Sequence, residues 1–203
     1  MCGRFTLTKP AALAAAFPRF RFAEFSETHL PRFNIAPTQD VLGVRNDGRN
    51  VVEVLRWGIR GRINIRAESI LARRGAIRRR CIEFADGFYE WSNRRPFYYT
   101  LRSGEPFAFA GLWEPNNGSA SCDLATCEPN ALVAPVHNRM PVILTNANVD
   151  LWLDPQPLPP EVAASILRPF DARLMQVHEV SMRVNNANYD AADVLENTEP
   201  RLF

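Results

Sequence analysis

The stretch CIEFADGFYEWSNRRPFYYTLRSGEPFAFAGLW, residues 81–113, decides the fold. It holds four strand-like runs, Cys81–Ala85, Gly87–Trp91, Phe97–Leu101 and Phe107–Trp113, punctuated by turn signals at Asp86-Gly87, Ser92-Asn93 and Ser103-Gly104. Upstream, Val41–Val44 and Val51–Leu55 flank Asn46-Asp47-Gly48, a hairpin signal, and Arg56-Trp57-Gly58 ends the second run. Downstream, Ala125-Thr126 and Leu132-Val133 bracket a polar segment before His137, Pro141–Leu144 is short and extended, and Leu174–Val180 reads as a last strand. Helical patterns are fewer: Pro10–Phe17 with Pro10 in its first turn, a helix within Arg66–Arg80 interrupted near Gly75, Val149–Leu153 capped by Asn148, and one from Pro160 to near Pro169. Strands outnumber helices and do not alternate with them. The expectation is a single α+β domain spanning 1–203, with a strongly curved or barrel-like, mostly antiparallel sheet and peripheral helices. From Asn185 onward the chain is polar and Asn-rich, a loop or tail over the body, with about 195–203 as the tail itself.

The totals narrow the function classes. With 203 residues, 46% hydrophobic and 23% charged, the chain can bury a substantial core. No apolar run reaches membrane-spanning length and no secretory signal precedes the body, so the expected setting is the cytoplasm, without membrane contact. Cys2, Cys81, Cys122 and Cys127 suggest neither a disulfide framework nor, given their spacing and the lack of a His/Cys partner cluster, a metal site. Net charge is only +2, but it is uneven: residues 1–102 carry 19 Lys/Arg against 9 Asp/Glu, and nine arginines lie between Arg56 and Arg80 with Glu68 as the one carboxylate. Such a stripe is what phosphate binding looks like electrostatically; with Lys9 as the only lysine, a general preference for arginine explains it as well.

Candidate chemistry begins at Met1-Cys2-Gly3-Arg4. Removal of Met1 would leave an α-amine and a thiol on one residue, titrating unperturbed near ~8 and ~8.5, so that both are partly available at neutral pH. An aldehyde could form an imine with the amine and close with sulfur to a thiazolidine. Read alone, the tetrapeptide fits an inert cysteine better. Glu90, an acid among aromatics, is a proton shuttle if buried and an ordinary surface group if strand alternation turns it outward. Ile63 and Ile65 alternate with Asn64 and Arg66, placing an amide and a guanidinium on one face, which suits an oxygen-rich ligand or simply solvent. His137, in a Pro-bounded turn with Arg139 two residues on, stands out over His29 and His178. No Ser/His/Asp elbow, P-loop, dinucleotide fingerprint or HExxH motif is present.

Taken in order, Met1-Cys2-Gly3-Arg4-Phe5, Asn34-Ile35-Ala36-Pro37-Thr38-Gln39, Trp57-Gly58, Asn64-Ile65-Arg66-Ala67-Glu68, Ala85–Trp91, Phe109–Glu114, His137–Pro141 and the closing Val180–Asn186 block resemble the SOS response-associated peptidase (SRAP) family. The resemblance implies a sensor of abasic sites in single-stranded DNA that captures the ring-opened sugar aldehyde covalently. It needs no cofactor or metal, and it acts as a monomer, nucleoid-associated in a bacterium. It assigns Cys2 as nucleophile through amine and sulfur, Asn64 to orienting the sugar or amine, Glu90 to proton transfer, and His137 to sugar opening, with Glu90 and His137 serving reversal. Arg4, Arg66 and Arg139 would grip flanking phosphates, and Asn34 and Pro37 would line the site. The chain departs from the family in three places. Only Ile59–Ile63 separates Gly58 from Asn64, where members carry a longer Pro- and Trp-containing loop, leaving Arg60 and Arg62 to hold the backbone. Asn138 replaces an Asp, and Glu83-Phe84 replaces an apolar-Pro pair. The alternatives are a non-covalent binder of single-stranded or modified DNA, with Cys2 incidental, and a thiol autopeptidase.

Overall fold

A computed structural model describes residues 2–22, 30–73, 75 and 77–198. Met1, His29, Arg74 and the last five residues of the expected tail lie outside the described residues. Thirteen strands are described: β1 Phe5–Leu7, β2 Arg32–Ile35, β3 Asp40–Arg45, β4 Glu53–Trp57, β5 Asn64–Arg66, β6 Arg80–Ala85, β7 Gly87–Ser92, β8 Arg95–Leu101, β9 Phe107–Asn116, β10 Ser119–Cys127, β11 Met140–Pro141, β12 Ile143–Leu144 and β13 Met175–Glu179. The α-helices are short: α1 Leu13–Ala16, α2 Ala67–Leu71, α3 Asn146–Leu153 and α4 Pro160–Ile166.

The four runs of residues 81–113 are β6 to β9, but they do not form one meander. β3 pairs with β4 and β6, β6 with β9, β9 with β10, and β10 runs parallel to β4, closing a mixed five-stranded barrel. β7 and β8 belong to a second sheet ordered β13-β8-β7-β1-β2. The chain passes between the two at Asp86-Gly87, which forms a corner instead of a hairpin. The Asp86 carboxylate accepts from the Thr6 hydroxyl (2.5 Å), the Thr8 amide (2.5 Å) and hydroxyl (2.7 Å) and the Lys9 amide (2.9 Å), tying the corner to the end of β1. Gly87 is required there: a Cβ would lie 2.3 Å from the Tyr98 ring. Aromatic side chains fill the seam between barrel and sheet. Phe5 meets Trp57 at 5.0 Å and Phe109 at 5.6 Å, and Phe88 stacks on Tyr99 at 4.9 Å, each pair contributing about 0.5–1.5 kcal/mol beyond area burial.

The curved α+β architecture anticipated from sequence is thus the one observed, with the strands of 41–55, 81–113 and 174–180 in place. The differences have identifiable causes. β10, Ser119–Cys127, carries small residues and an acid and gives no strand signal, yet it contacts β9, β4, β5 and β11. It is buried along nearly its whole length, and context of this kind overrides strand propensity. The helix expected within Arg66–Arg80 stops at Leu71, ahead of Gly75 at φ +85°. α3 begins at Asn146, and its cap is the Thr145 hydroxyl, which accepts from the Asn148 amide at 3.3 Å; Asn148 lies inside the helix. Arg80 leaves the basic stripe altogether. It is fully buried, and its guanidinium donates to the carbonyls of Trp152 (2.7 Å), Gln156 (2.8 Å), Ile77 and Asp154. These include orphan carbonyls at the C-terminal end of α3, where a cation is favoured. Burial nonetheless lowers the Arg80 pKa to about 10.

Candidate active site around Cys2

Three elements converge on the segment leading into β1. Cys2 is 0% exposed, wedged at the start of the chain among core residues. Its carbonyl accepts from the Asn64 Nδ2 at 2.8 Å, so the first residue of β5 holds the backbone of Cys2. The Asn64 Oδ1 is buried with no hydrogen-bond partner, an acceptor left open beside the Cys2 backbone that its own Nδ2 holds. Ile65 faces the core while Asn64 and Arg66 do not, as the alternation predicts. Glu90 comes from β7, the strand beside β1, and is 2% exposed; the outward alternative is excluded. Desolvation pushes its pKa up to about 7. His137 comes from the loop between β10 and β11, and its Nδ1 lies 3.9 Å from Glu90 Oε2.

The protonation states follow from these surroundings. Burial raises the Cys2 thiol far above its ordinary range, and the Glu90 carboxylate raises it further. The sequence-based expectation of a partly ionised thiol is therefore corrected: within this pocket sulfur is a neutral thiol. The His137 Nδ1 sits between the Arg139 amide at 3.0 Å and the Arg139 carbonyl at 3.1 Å, and burial lowers the imidazole pKa, keeping it neutral.

The residues expected to contact phosphate fall into distinct groups. Arg66 is exposed at the N-cap position of α2, and the Arg60 side chain is 89% exposed, 3.5 Å from Glu114. Arg62 is partly exposed, with its Nε donating to the wholly buried Asp123 at 2.5 Å. Arg4 is half-buried: one Nη donates to Asn34 Oδ1 (2.9 Å) and the Val184 carbonyl (2.7 Å). Arg139 is largely committed elsewhere, forming a bidentate pair with Glu68 on α2 at 2.6 and 2.9 Å and donating to the Thr126 carbonyl at 2.5 Å. Through its own amide it positions His137. Asn34 is fully buried, and its amide donates to the carbonyls of Val184, Asn186 and Tyr189 at 3.2, 3.0 and 2.8 Å. It fixes the closing segment against β2 and presents no surface to a ligand. Pro37 is half-buried after β2.

Two residues at the site carry no assignment from sequence. Gly3 and Arg4 share an open cavity of about 340 Å³ with Trp91 and Asn185. The Trp91 indole donates to Asn185 Oδ1 at 2.6 Å, which holds the ring at the rim. Both stand inside blocks of the family resemblance, Ala85–Trp91 and Val180–Asn186, which gave neither of them a role. Among the described residues no group of His, Cys, Asp and Glu has the arrangement of a metal site, and no helix is long and apolar enough to cross a membrane.

Comparison with known proteins places the chain in a family. The family model for SOS response associated peptidase (SRAP) matches residues 1–187. The chain is 36% identical to the abasic site processing protein YoqW of Bacillus subtilis, over 97% of this chain and 100% of that one. It is 29% identical to the abasic site processing protein HMCES of Gallus gallus over 58% of this chain and 43% of that one. A crystal structure of a protein from Bacteroides thetaiotaomicron superposes with a TM-score of 0.77 at 21% identity, covering 89% of this chain and 92% of the other, which shows the shared fold. The chain belongs to the SRAP family.

Proposed function

We propose that this protein processes abasic sites in single-stranded DNA by capturing the ring-opened sugar at Cys2. Two relatives are named for abasic-site processing, and one of them matches along its full length. The observation that carries the reading is the convergence of four groups: Asn64 on the Cys2 carbonyl, Glu90 within electrostatic reach of the Cys2 thiol, and His137 3.9 Å from Glu90. Each supplies what an aldehyde trap needs.

In a chain beginning at Cys2, the free amine attacks the aldehyde carbon. A C–N bond forms, and loss of water gives the imine. The thiol then adds to the imine carbon: the C–S bond forms, the C=N electron pair moves onto nitrogen, and the sulfur proton passes to Glu90 while nitrogen takes one up. A carboxyl titrating at about 7 both donates and accepts near neutrality, which suits the dehydration and the ring closure. Neutral His137 relays protons to the sugar oxygen during ring opening, and the same pair run backwards releases the sugar. The orphan Asn64 Oδ1 accepts from the amine or a sugar hydroxyl. Arg66 and the free nitrogens of Arg4 meet the flanking phosphates, with Arg60 beyond them.

Denaturing electrophoresis with an abasic single strand tests the reading. A DNA-shifted band surviving SDS and absent in Cys2→Ala is expected, together with an intact mass lacking Met1. Salt-sensitive binding with no stable adduct, indifferent to Cys2→Ala, would establish the non-covalent alternative instead.

A further inference from the structure

One concave feature of the surface does not have Cys2 in its lining. It is a cavity of about 370 Å³ lined by Ile59, Arg62, Arg73, Ile77, Arg78, Arg79, Leu112, Trp113 and Glu114. Four of its nine residues are arginines. Arg62 is neutralised by Asp123, and Glu114 lies at the rim 3.5 Å from Arg60. Arg73, Arg78 and Arg79 are exposed and have no ion-pair partner among the described residues.

The backbone that presents them is braced. The Asn46 amide, itself buried, donates to the Arg78 carbonyl at 2.7 Å and accepts from the Arg80 amide at 2.8 Å and the Trp113 indole at 3.3 Å. The Trp113 amide donates to the Arg79 carbonyl at 3.2 Å. The guanidinium groups of Arg79 and Arg45 lie 5.7 and 4.6 Å from the Trp113 ring centre, a cation–π support that limits where the Arg79 fork can sit. The fully buried Arg80 anchors the next residue. Backbone bracing at Arg78 and Arg79 and the ring beside the Arg79 guanidinium limit where these exposed groups can reach, and guanidinium groups bind phosphate oxygens in bidentate fashion.

We infer that this cavity is a second nucleic-acid contact, in which Arg73, Arg78 and Arg79 hold backbone phosphates of the strand whose lesion is presented to Cys2. The inference rests on the proposed function. Continuity supports it: Arg62 lines the cavity and is two residues, about 7 Å of extended chain, from Asn64. Just before Arg62 the chain makes a tight turn, with Ile59 bridging Arg62 and Arg60 and Gly61 at φ 47° and 80°. Arg60, Arg62 and Arg66 are all exposed along the chain segment that runs from the cavity through Asn64.

The test measures anisotropy of an undamaged, end-labelled single strand, which requires no reaction at Cys2. Wild type is compared with R73Q/R78Q/R79Q, which keeps the aliphatic stems, and with R73K/R78K/R79K, which keeps the charge. Three lost phosphate contacts should reduce the slope of log K against log salt by about 2, so that the affinity lost between about 50 and 200 mM salt shrinks roughly 20-fold. The Lys variant should retain the wild-type slope. A Gln variant that unfolds at the wild-type urea midpoint and keeps the wild-type slope would overturn the inference. So would loss of nucleoside-monophosphate binding with the strand slope unchanged, which would make this a free-nucleotide pocket. SDS-stable adduct formation by wild type on abasic DNA reports the Cys2 chemistry separately, so failure of that reading is recognised independently.

Discussion

Glu90→Gln should do two things that a merely structural residue would not do together: slow the reaction and strengthen the fold as pH rises. The side chain is 2% exposed, and its pKa stands at about 7 against an ordinary 4.5, with desolvation as the leading cause. Between those two values the native state holds a proton that the unfolded chain has released, so unfolding stability falls with pH by about 1.4 kcal/mol per unit. The Glu90 contribution is thus fully present below about 4.5 and lost by about 7, amounting to about 3 kcal/mol. Gln has nearly the same shape and does not titrate. Relative to wild type it should gain about 3 kcal/mol between pH 4.5 and 8, whatever constant cost its buried amide adds. Urea unfolding across that range would register this as a midpoint shift of roughly 1–2 M between the two proteins. In the proposed reaction the same substitution removes the proton acceptor for sulfur. Single-turnover crosslinking should therefore slow about 10²-fold or more and lose its midpoint near pH 7. Parallel stability curves for the two proteins would refute the buried, protonated carboxyl. Unchanged rate and midpoint would remove Glu90 from the reaction.

Cys2→Ala should abolish the SDS-stable adduct while leaving salt-sensitive binding of undamaged DNA, and any tag retained ahead of Cys2 should also abolish the adduct, because ring closure needs the amine; electrophoresis of both forms decides this. Arg66→Ala should lower the salt slope of strand binding by about 0.7, one phosphate contact, whereas Arg139→Ala, whose guanidinium is occupied by Glu68 and Thr126, should leave the slope alone and slow crosslinking through His137. Equal slope losses in the two variants would contradict that division. Gly111→Ala should destabilise by about 1–3 kcal/mol in urea unfolding, since its Cβ would meet Glu83 Oε1 at 2.5 Å and the Asp123 carbonyl at 2.7 Å; no loss would mean that the barrel wall yields there.

How much of this was legible in the sequence depended on the kind of signal. Runs such as Phe97–Leu101 and the Asn46-Asp47-Gly48 hairpin declare themselves through aromatic content and turn chemistry, and they are strands. β10 does not, because Ser121, Asp123 and Thr126 are strand residues by virtue of neighbours on both sides, which no local pattern encodes. The Asp86-Gly87 turn was visible but its meaning was not: a two-residue signal cannot distinguish a hairpin from a corner between sheets. Glu83, a departure from the family pattern, finds its explanation only in three dimensions. Its carboxyl sits over Gly111 and accepts from the Cys81 thiol at 3.1 Å, and burial raises its pKa to about 8, so it is a neutral acid in the barrel. At the site, residue identities were legible and partnerships were not. Arg139 and Asn34 read as ligand contacts because they stand in recognisable motifs, whereas the Asn34 amide and both terminal nitrogens of Arg139 are already bonded within the protein.

The state of Cys2 constrains the order of events in the proposed reaction. A thiolate here would lie in a desolvated pocket facing the Glu90 carboxylate, and both effects raise the thiol pKa. Sulfur therefore cannot lead as a preformed anion, unlike a cysteine activated beside a cation or a helix N-terminus. The amine has no such restriction once the chain begins at Cys2, and the imine it forms places an electrophilic carbon next to the thiol. Only then does sulfur have a partner that makes loss of its proton worthwhile, and Glu90, at about 7, is matched to take that proton at the moment the C–S bond forms. The buried thiol is thereby protected from oxidants and adventitious electrophiles that lack an aldehyde, while a true substrate brings its own activation. On this ordering the pH dependence of capture follows Glu90 and the amine, and a thiol-alkylating reagent of low reactivity should leave Cys2 unmodified over the same pH range in which an abasic strand captures it.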